Sequence, residues 1–383
     1  MALRIETRFP GGSGRVLCVR DSGPQREVEF AADPQGGVEA FWFCFRVTET
    51  MPTGSQPERL ALTLRFSDTT TGGDSVAACR PVYQPLGKNW FRMGAGAPRA
   101  RSDGHIDLVW FIPYPAPASE VAFCYPYGPA EIETLVRKSG DSWRTDEIGL
   151  SGEGRPMVRL SNDHGVVGGS MSGLYLVARQ HAGETPGSWV LDGLLDRFSR
   201  EKKKSCLVWS VPLMDADGSA RGAHGKNRFP CDMDGAWGAQ PMRHETLVVQ
   251  KDTRLWAARC KPALVLDFRA SGDAGADGVH AFLPSSGRQP GLQKDALAWA
   301  NICADHIGSE FAAEPFARTE RSPSHRQGGN LADFAADAIG VPALTIGIPY
   351  ALCRGVEMTQ KQYREVGRRI AKAVLLRLGQ VSR

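Results

Sequence analysis

Leu174-Tyr175-Leu176-Val177-Ala178-Arg179-Gln180-His181-Ala182-Gly183-Glu184 is the stretch from which the rest of this chain is read. Its first five residues form a short continuous apolar run, the pattern of a strand buried on both faces. The run ends in a loop that carries a histidine, with a carboxylate three residues after it. A helix should follow, because Thr185 is a cap candidate, Pro186 suits a first turn, and Leu191, Leu194, Leu195 and Phe198 recur on one face up to Arg200. A strand that runs through a loop into a helix sets that loop at the carboxyl edge of a parallel sheet, where open α/β sheets bind ligands. His181 and Glu184 would sit on that edge. Imidazole nitrogen and carboxylate oxygen suit zinc, yet His-x-x-Glu alone is a common spacing that a loop histidine and a capping glutamate satisfy equally.

Further buried strands are read downstream at Ser205 to Leu213, Pro262 to Phe268 and Val341 to Tyr350. Helical segments lie between and around them: Glu131 to Lys138, Asp295 to Ile302, Leu331 to Ile339 stopped by Gly340, and a terminal helix opened by a capping box at Thr359 to Gln362. This alternation predicts a mixed, mainly parallel sheet flanked by helices over residues 121–383. Residues 1–120 read differently, as short strands with almost no helical period. Ala40 to Val47 is aromatic-rich, Arg59 to Phe66 alternates at period two, and turn-rich segments at 11–14, 51–57 and 71–73 separate them. A small all-β sandwich domain is the natural solution, with its aromatics as core.

The chain has 383 residues, a length that suits two domains. Lys plus Arg number 46 against 42 acidic residues, a net charge of +4. The short run Lys202 to Lys204 reads as a solvated helix end, so no nucleic-acid partner is expected. Nine cysteines are scattered without Cys-x-x-Cys spacing, and the N-terminus lacks the apolar core of a signal peptide, which places reduced thiols in a cytoplasm. Apolar runs fall short of the roughly eighteen residues that a membrane span needs, and no membrane partner is expected.

The segment Arg179-Gln180-His181-Ala182-Gly183-Glu184-Thr185 resembles the zinc metallocarboxypeptidases, most closely their cytosolic carboxypeptidase-like branch, which reads Arg-x-His-Pro-Gly-Glu-Thr. Ala182 stands where that branch has proline. Phe123-Cys124-Tyr125-Pro126-Tyr127 is similar to the Tyr-Pro-Tyr segment that joins a β domain to the catalytic domain in the branch, and Asp215-Ala216-Asp217-Gly218 is similar to its Asn-Pro-Asp-Gly. The resemblance implies a carboxypeptidase-like fold and a zinc ligand pair His181 and Glu184. It assigns to Arg228 the arginine that polarises the substrate carbonyl.

Other family positions are changed. Asp232-Met233-Asp234-Gly235-Ala236-Trp237 keeps the frame of Asp-Leu-Asn-Arg-x-Trp, but Asp234 and Gly235 replace the pair that clamps a substrate carboxylate. Asp267-Phe268-Arg269 stands where the family has Asp-Leu-His, so Arg269 occupies the place of the third ligand, and a guanidinium cannot ligate a cation. Gly347 stands where the family has the glutamate that serves as general base. His280 and Glu357 are the nearest substitutes for ligand and base.

The leading reading is therefore a carboxypeptidase-like fold with a degenerate site, a pseudoenzyme or a protein that binds a peptide C-terminus or small anionic ligand, without cofactor. The alternative is an active zinc-dependent carboxypeptidase or amidohydrolase that uses His280 and Glu357. A third reading makes the β domain the site of protein contacts. The charge pattern carries one further expectation: Arg269 bonds to Glu184 and fills the metal position, with Arg228 making the pocket anion-seeking.

Overall fold

The computed structural model describes residues 2–21, 26–37, 39–50, 59–70, 79–113, 118–202, 204–226, 231–270, 277–284, 290–319 and 329–379. Arg228, the turns read at 51–57 and 71–73, and most of the polar loop between Arg318 and Gly329 lie outside the described residues. The chain forms two compact units, one of Met1–Pro126 with the segment Gly218–Lys226, the other of Tyr127–Asp217 and the described residues from 231 onward.

The first unit is all-β. Its strands are β1 (Ala2–Glu6), β2 (Arg15–Arg20), β3 (Arg26–Ala31), β4 (Cys44–Thr50), β5 (Arg59–Leu64), β6 (Val82–Pro85), β7 (Phe91–Arg92), β8 (Ala97–Ala100), β9 (Ile106–Pro113) and β10 (Ala118–Ala122). They form two five-stranded sheets, in the orders β1-β4-β10-β6-β7 and β2-β3-β5-β9-β8. Alternation gives each sheet one apolar face, and the two faces meet where Phe30 of β3 packs edge-on against Phe43 and Phe45 at 5.0 and 4.8 Å between ring centres. The aromatic run at 40–47 is thus core, although its strand begins only at Cys44.

The second unit carries an eight-stranded sheet. Its strands are β11 (Arg144–Leu150), β12 (Pro156–Ser161), β13 (Ser172–Ala178), β14 (Leu207–Val211), β15 (Lys261–Ala270), β16 (Val279–Phe282), β17 (Ala312–Arg318) and β18 (Ala343–Ile348), in the order β11-β12-β14-β13-β15-β18-β16-β17. The central run β14-β13-β15-β18 is parallel, and antiparallel partners flank it on both sides. Central strands covered on both faces explain their unbroken apolar runs.

Helices Thr185–Ser199 and Gln360–Arg377 pack against each other beside this sheet. They cross where each contributes a glycine: a Cβ on Gly367 would fall 1.9 Å from the Val190 carbonyl, and one on Gly193 2.1 Å from that of Arg364. Tyr175, Val177, Val265, Trp209 and Trp256 form one core cluster, to which helix His244–Ala257 contributes. Thr359 caps the terminal helix by accepting from the Gln362 amide, as its capping box predicts. Thr185 is no cap: Glu184 holds that position and the buried Thr185 hydroxyl lies inside the first turn with no hydrogen-bond partner among the described residues.

Candidate functional site

The site forms where β13 ends. Arg179 follows the strand at φ +65°, a left-handed conformation that a non-glycine residue adopts at a cost of about 1–3 kcal/mol, and its guanidinium is held by the Tyr127 carbonyl at 3.0 Å. That turn brings the next loop back over the carboxyl edge of the sheet. His181 and Glu184 are both buried there, with Nδ1 of the histidine 2.8 Å from Oε1 of the glutamate.

His181 is held from its other side as well, because its Nε2 lies 2.7 Å from Oδ1 of Asp232. That same Asp232 oxygen caps the short turn Met233–Gly235 by accepting from the Asp234 amide, which fixes where the Asp234 carboxylate is delivered. Burial alone would lower the basicity of His181. The carboxylates of Asp232 and Glu184 outweigh it and raise the ring to about 9. Burial alone would raise the Asp232 carboxyl, and the His181 charge holds it far below the usual range instead. With both ring nitrogens protonated, each donates to one carboxylate.

Arg269 enters this cluster from the end of β15. Its Nε donates to Oε2 of Glu184 at 3.3 Å, its Nη1 lies 2.5 Å from Asp234 and 3.8 Å from Asp267, and its Nη2 lies 2.7 and 3.2 Å from the two ring nitrogens of His181. Similar distances to both ring nitrogens place Nη2 over the imidazole face. The contact is therefore stacking, and the Nδ1 proton remains with Glu184. Burial disfavours the guanidinium charge, but Asp234, Glu184, Asp267 and Asp232 overcompensate and hold it firmly protonated.

A relay behind the cluster fixes Asp267: Trp237 Nε1 donates to Gln180 Oε1 at 2.7 Å, and Gln180 Nε2 donates to Asp267 Oδ2 at 2.8 Å. The described part of the site thus sets four carboxylates against two cations.

Gly347 of β18 pairs with Arg269 on one side and with His280 of β16 on the other. His280 is buried, with Nδ1 3.2 Å from the Gly278 carbonyl. Gly235 ends the short turn behind Asp234. Glu357 is exposed on a two-residue strand paired with Leu352. The structure therefore gathers His181, Glu184, Asp234 and Arg269, sets Gly347 beside Arg269 with His280 one strand beyond, and leaves Glu357 in solvent. Sequence reading missed the relay from Trp237 through Gln180, and it missed Asp234 as the counter-ion of Arg269.

No family model matches the sequence. A metallo-carboxypeptidase from Burkholderia cenocepacia superposes over the whole of both chains with a TM-score of 0.75 at 18% identity. One from Pseudomonas aeruginosa, in complex with (2-guanidinoethylmercapto)succinic acid, gives 0.73 at 19% identity over 98% of this chain and 99% of that one. In sequence, human cytosolic carboxypeptidase 6 is 22% identical over 285 residues, 67% of this chain and 54% of that protein. The fold of this chain is metallocarboxypeptidase-like. An uncharacterized protein of Zymomonas mobilis is 25% identical over 252 residues, 63% of this chain and 60% of that one, so the matches span little more than half of these relatives.

Metallo-carboxypeptidase neighbours imply zinc in active members, and the residues at this site can be tested for it. A catalytic zinc normally takes three protein ligands. His181 and Glu184 supply two donors, Asp232 lies on the opposite edge of the ring, and Arg269, which stands where a third ligand is needed, offers no acceptor atom. Among the described residues no three His, Cys, Asp or Glu side chains form a group that could hold a metal ion. The donor set among the described residues does not fit zinc.

Proposed function

We propose that this protein is a metallocarboxypeptidase-like pseudoenzyme that does not run the zinc-dependent peptidase reaction. The observation that carries the reading is the Arg269 guanidinium, bonded to Glu184 and Asp234 and stacked on His181. Peptide hydrolysis of that kind needs a Lewis acid, a base for its water and a positive group for the oxyanion. Arg269 brings a permanent positive charge to the third-ligand position that the family resemblance assigns, and Gly347 brings no side chain to the base position. Asp234, at the position of the carboxylate clamp, is neutralised by Arg269 instead.

The proposed ligand is a peptide C-terminus or small anion. Four carboxylates against two cations leave the described part of the site with a net charge of −2, which corrects the expectation of an anion-seeking pocket there and makes capture of an anion depend on Arg228. A reducing, cytoplasmic setting is proposed from nine cysteines scattered without paired spacing. Among the described residues no helix is long and apolar enough to cross a membrane.

The test is elemental analysis of the purified chain together with an assay for release of a C-terminal residue. The reading expects no stoichiometric zinc and no zinc-dependent release, and it expects Arg269→His to create zinc affinity. One zinc per chain in the parent, with turnover abolished by His181→Ala, would overturn it.

A further inference from the structure

Gly347 lies in the sheet between Arg269 of β15 and His280 of β16, so the three positions form one row and aim their side chains at one face. A Cβ built on Gly347 would lie 2.4 Å from Nε2, 2.7 Å from Cε1 and 3.1 Å from Cδ2 of His280. No side chain can leave the strand in that direction while the ring stays where it is. The ring is confined: it is buried, its Nδ1 lies 3.2 Å from the Gly278 carbonyl, and Phe282 packs against it edge-on at 5.0 Å and 88°.

We propose that His280 closes the base position of this site: its imidazole fills the space through which a side chain at 347 would enter, so that Gly347 and His280 are a packing pair that must change together. The functional meaning of the pair rests on the proposed function, which makes position 347 the seat of the missing base. The packing claim stands on its own geometry. It follows that a glutamate restored at 347 alone meets the imidazole, even in a chain whose Arg269 has been returned to histidine. Shortening residue 280 opens the way.

A four-member cycle on the full chain tests this: parent, Gly347→Ala, His280→Ala and the double variant, each followed by thermal unfolding. Gly347→Ala is expected to lower the melting temperature of the parent by about 3 °C or more, as overpacking does. In the His280→Ala background the same change should leave it within about 1 °C or raise it, since the methyl group enters emptied space. Should His280→Ala fail to fold, His280→Thr, shorter than the ring and suited to a strand, gives the same comparison. Equal losses in both backgrounds, or no loss in the parent, overturn the pair. Failure of the proposed function would appear separately, as zinc and hydrolysis in the parent, and would leave the melting cycle to decide the packing.

Discussion

Each unit carries a cluster of arginines and carboxylates, and the two clusters differ in what surrounds them. On the outer face of the sheet β2-β3-β5-β9-β8, Glu27, Glu29 and Asp107 lie beneath Arg20, Arg65 and Arg99: Arg65 reaches Glu29 at 2.5 Å and Asp107 at 3.2 Å, and Arg99 reaches Glu27 at 3.1 Å. Water reaches Arg20 and Arg99, whose side chains are 52% and 44% exposed, while Glu29 and Asp107 beneath them are at 7% and 3% and each pair with more than one arginine. At the candidate site the pairing chemistry is the same, but Arg269 is only 8% exposed and three of its four carboxylates are at or below 5%. An arginine that loses its partner on the sheet face is solvated again. One that loses its partner in the buried cluster is not, so the buried group should respond as a unit and the ladder as separate pairs.

The largest expected effect follows directly. Arg269→Ala leaves Glu184, Asp234 and Asp267 without their shared cation and should cost about 3–5 kcal/mol in denaturant unfolding. Arg269→Lys keeps the charge but loses the fork that reaches Glu184 and Asp234 together, and should fall between Ala and the parent. A loss for Arg269→Ala below about 1 kcal/mol would mean that the cluster is solvated after all, and the comparison between the two units would collapse.

Asp234→Ala should come next, at about 1.5–3 kcal/mol, because it removes a charge-assisted bond and leaves Arg269 to Glu184 and Asp267. Its loss should be non-additive with that of Arg269→Ala, since one change removes the interaction that the other would remove. Simple addition of the two would show that Asp234 acts elsewhere.

Asp234 also marks how far sequence reaches. The strands around the site, the His181 and Glu184 pair and the helix after them were legible because apolar runs and the motif spacing are local. The role of Asp234 was not. Aligned with a carboxylate clamp, it read as a wrong charge, and only the pairing of β13 with β15 and the Asp232-capped turn bring it to Arg269, 35 positions away in sequence. His280 was legible as a buried strand residue, but its relation to Gly347 depends on β16 inserting antiparallel beside β18, a choice that no periodicity in β16 encodes. Thr185 was misread as a cap for a smaller reason: Glu184 fills that position while its side chain serves the site.

Acid pH offers a test between the two extremes, at a partly buried pair in the β unit. Burial alone would raise the Glu39 carboxyl, and His224 together with Lys226 brings it down to about 2. A carboxylate lowered in the folded state adds stability above its unfolded value near 4.5, and that stability is lost as pH falls through about 2. Glu39→Gln should remove on the order of 2 kcal/mol at neutral pH and flatten the stability profile over that acid window. An unchanged acid limb would show that Glu39 is equally solvated in both states.

The smallest effect belongs to the ladder. Arg99→Ala removes a partner from Glu27 at 3.1 Å and from Asp107 at 3.7 Å, yet Arg20 remains on Glu27 and Arg65 on Asp107. Each carboxylate keeps a cation, and the lost charge was already shared with water, so the expected cost is about 0.2–1 kcal/mol and should shrink further in high salt. Exposed pairs are screened over roughly 10 Å at 0.1 M salt, whereas the Arg269 cluster excludes the ions that would screen it. Denaturant unfolding of both variants at low and high salt therefore sharpens the contrast: the Arg99 difference should fade and the Arg269 difference should persist. If Arg99→Ala cost as much as Arg269→Ala and kept that cost in salt, burial would not be what separates the two clusters.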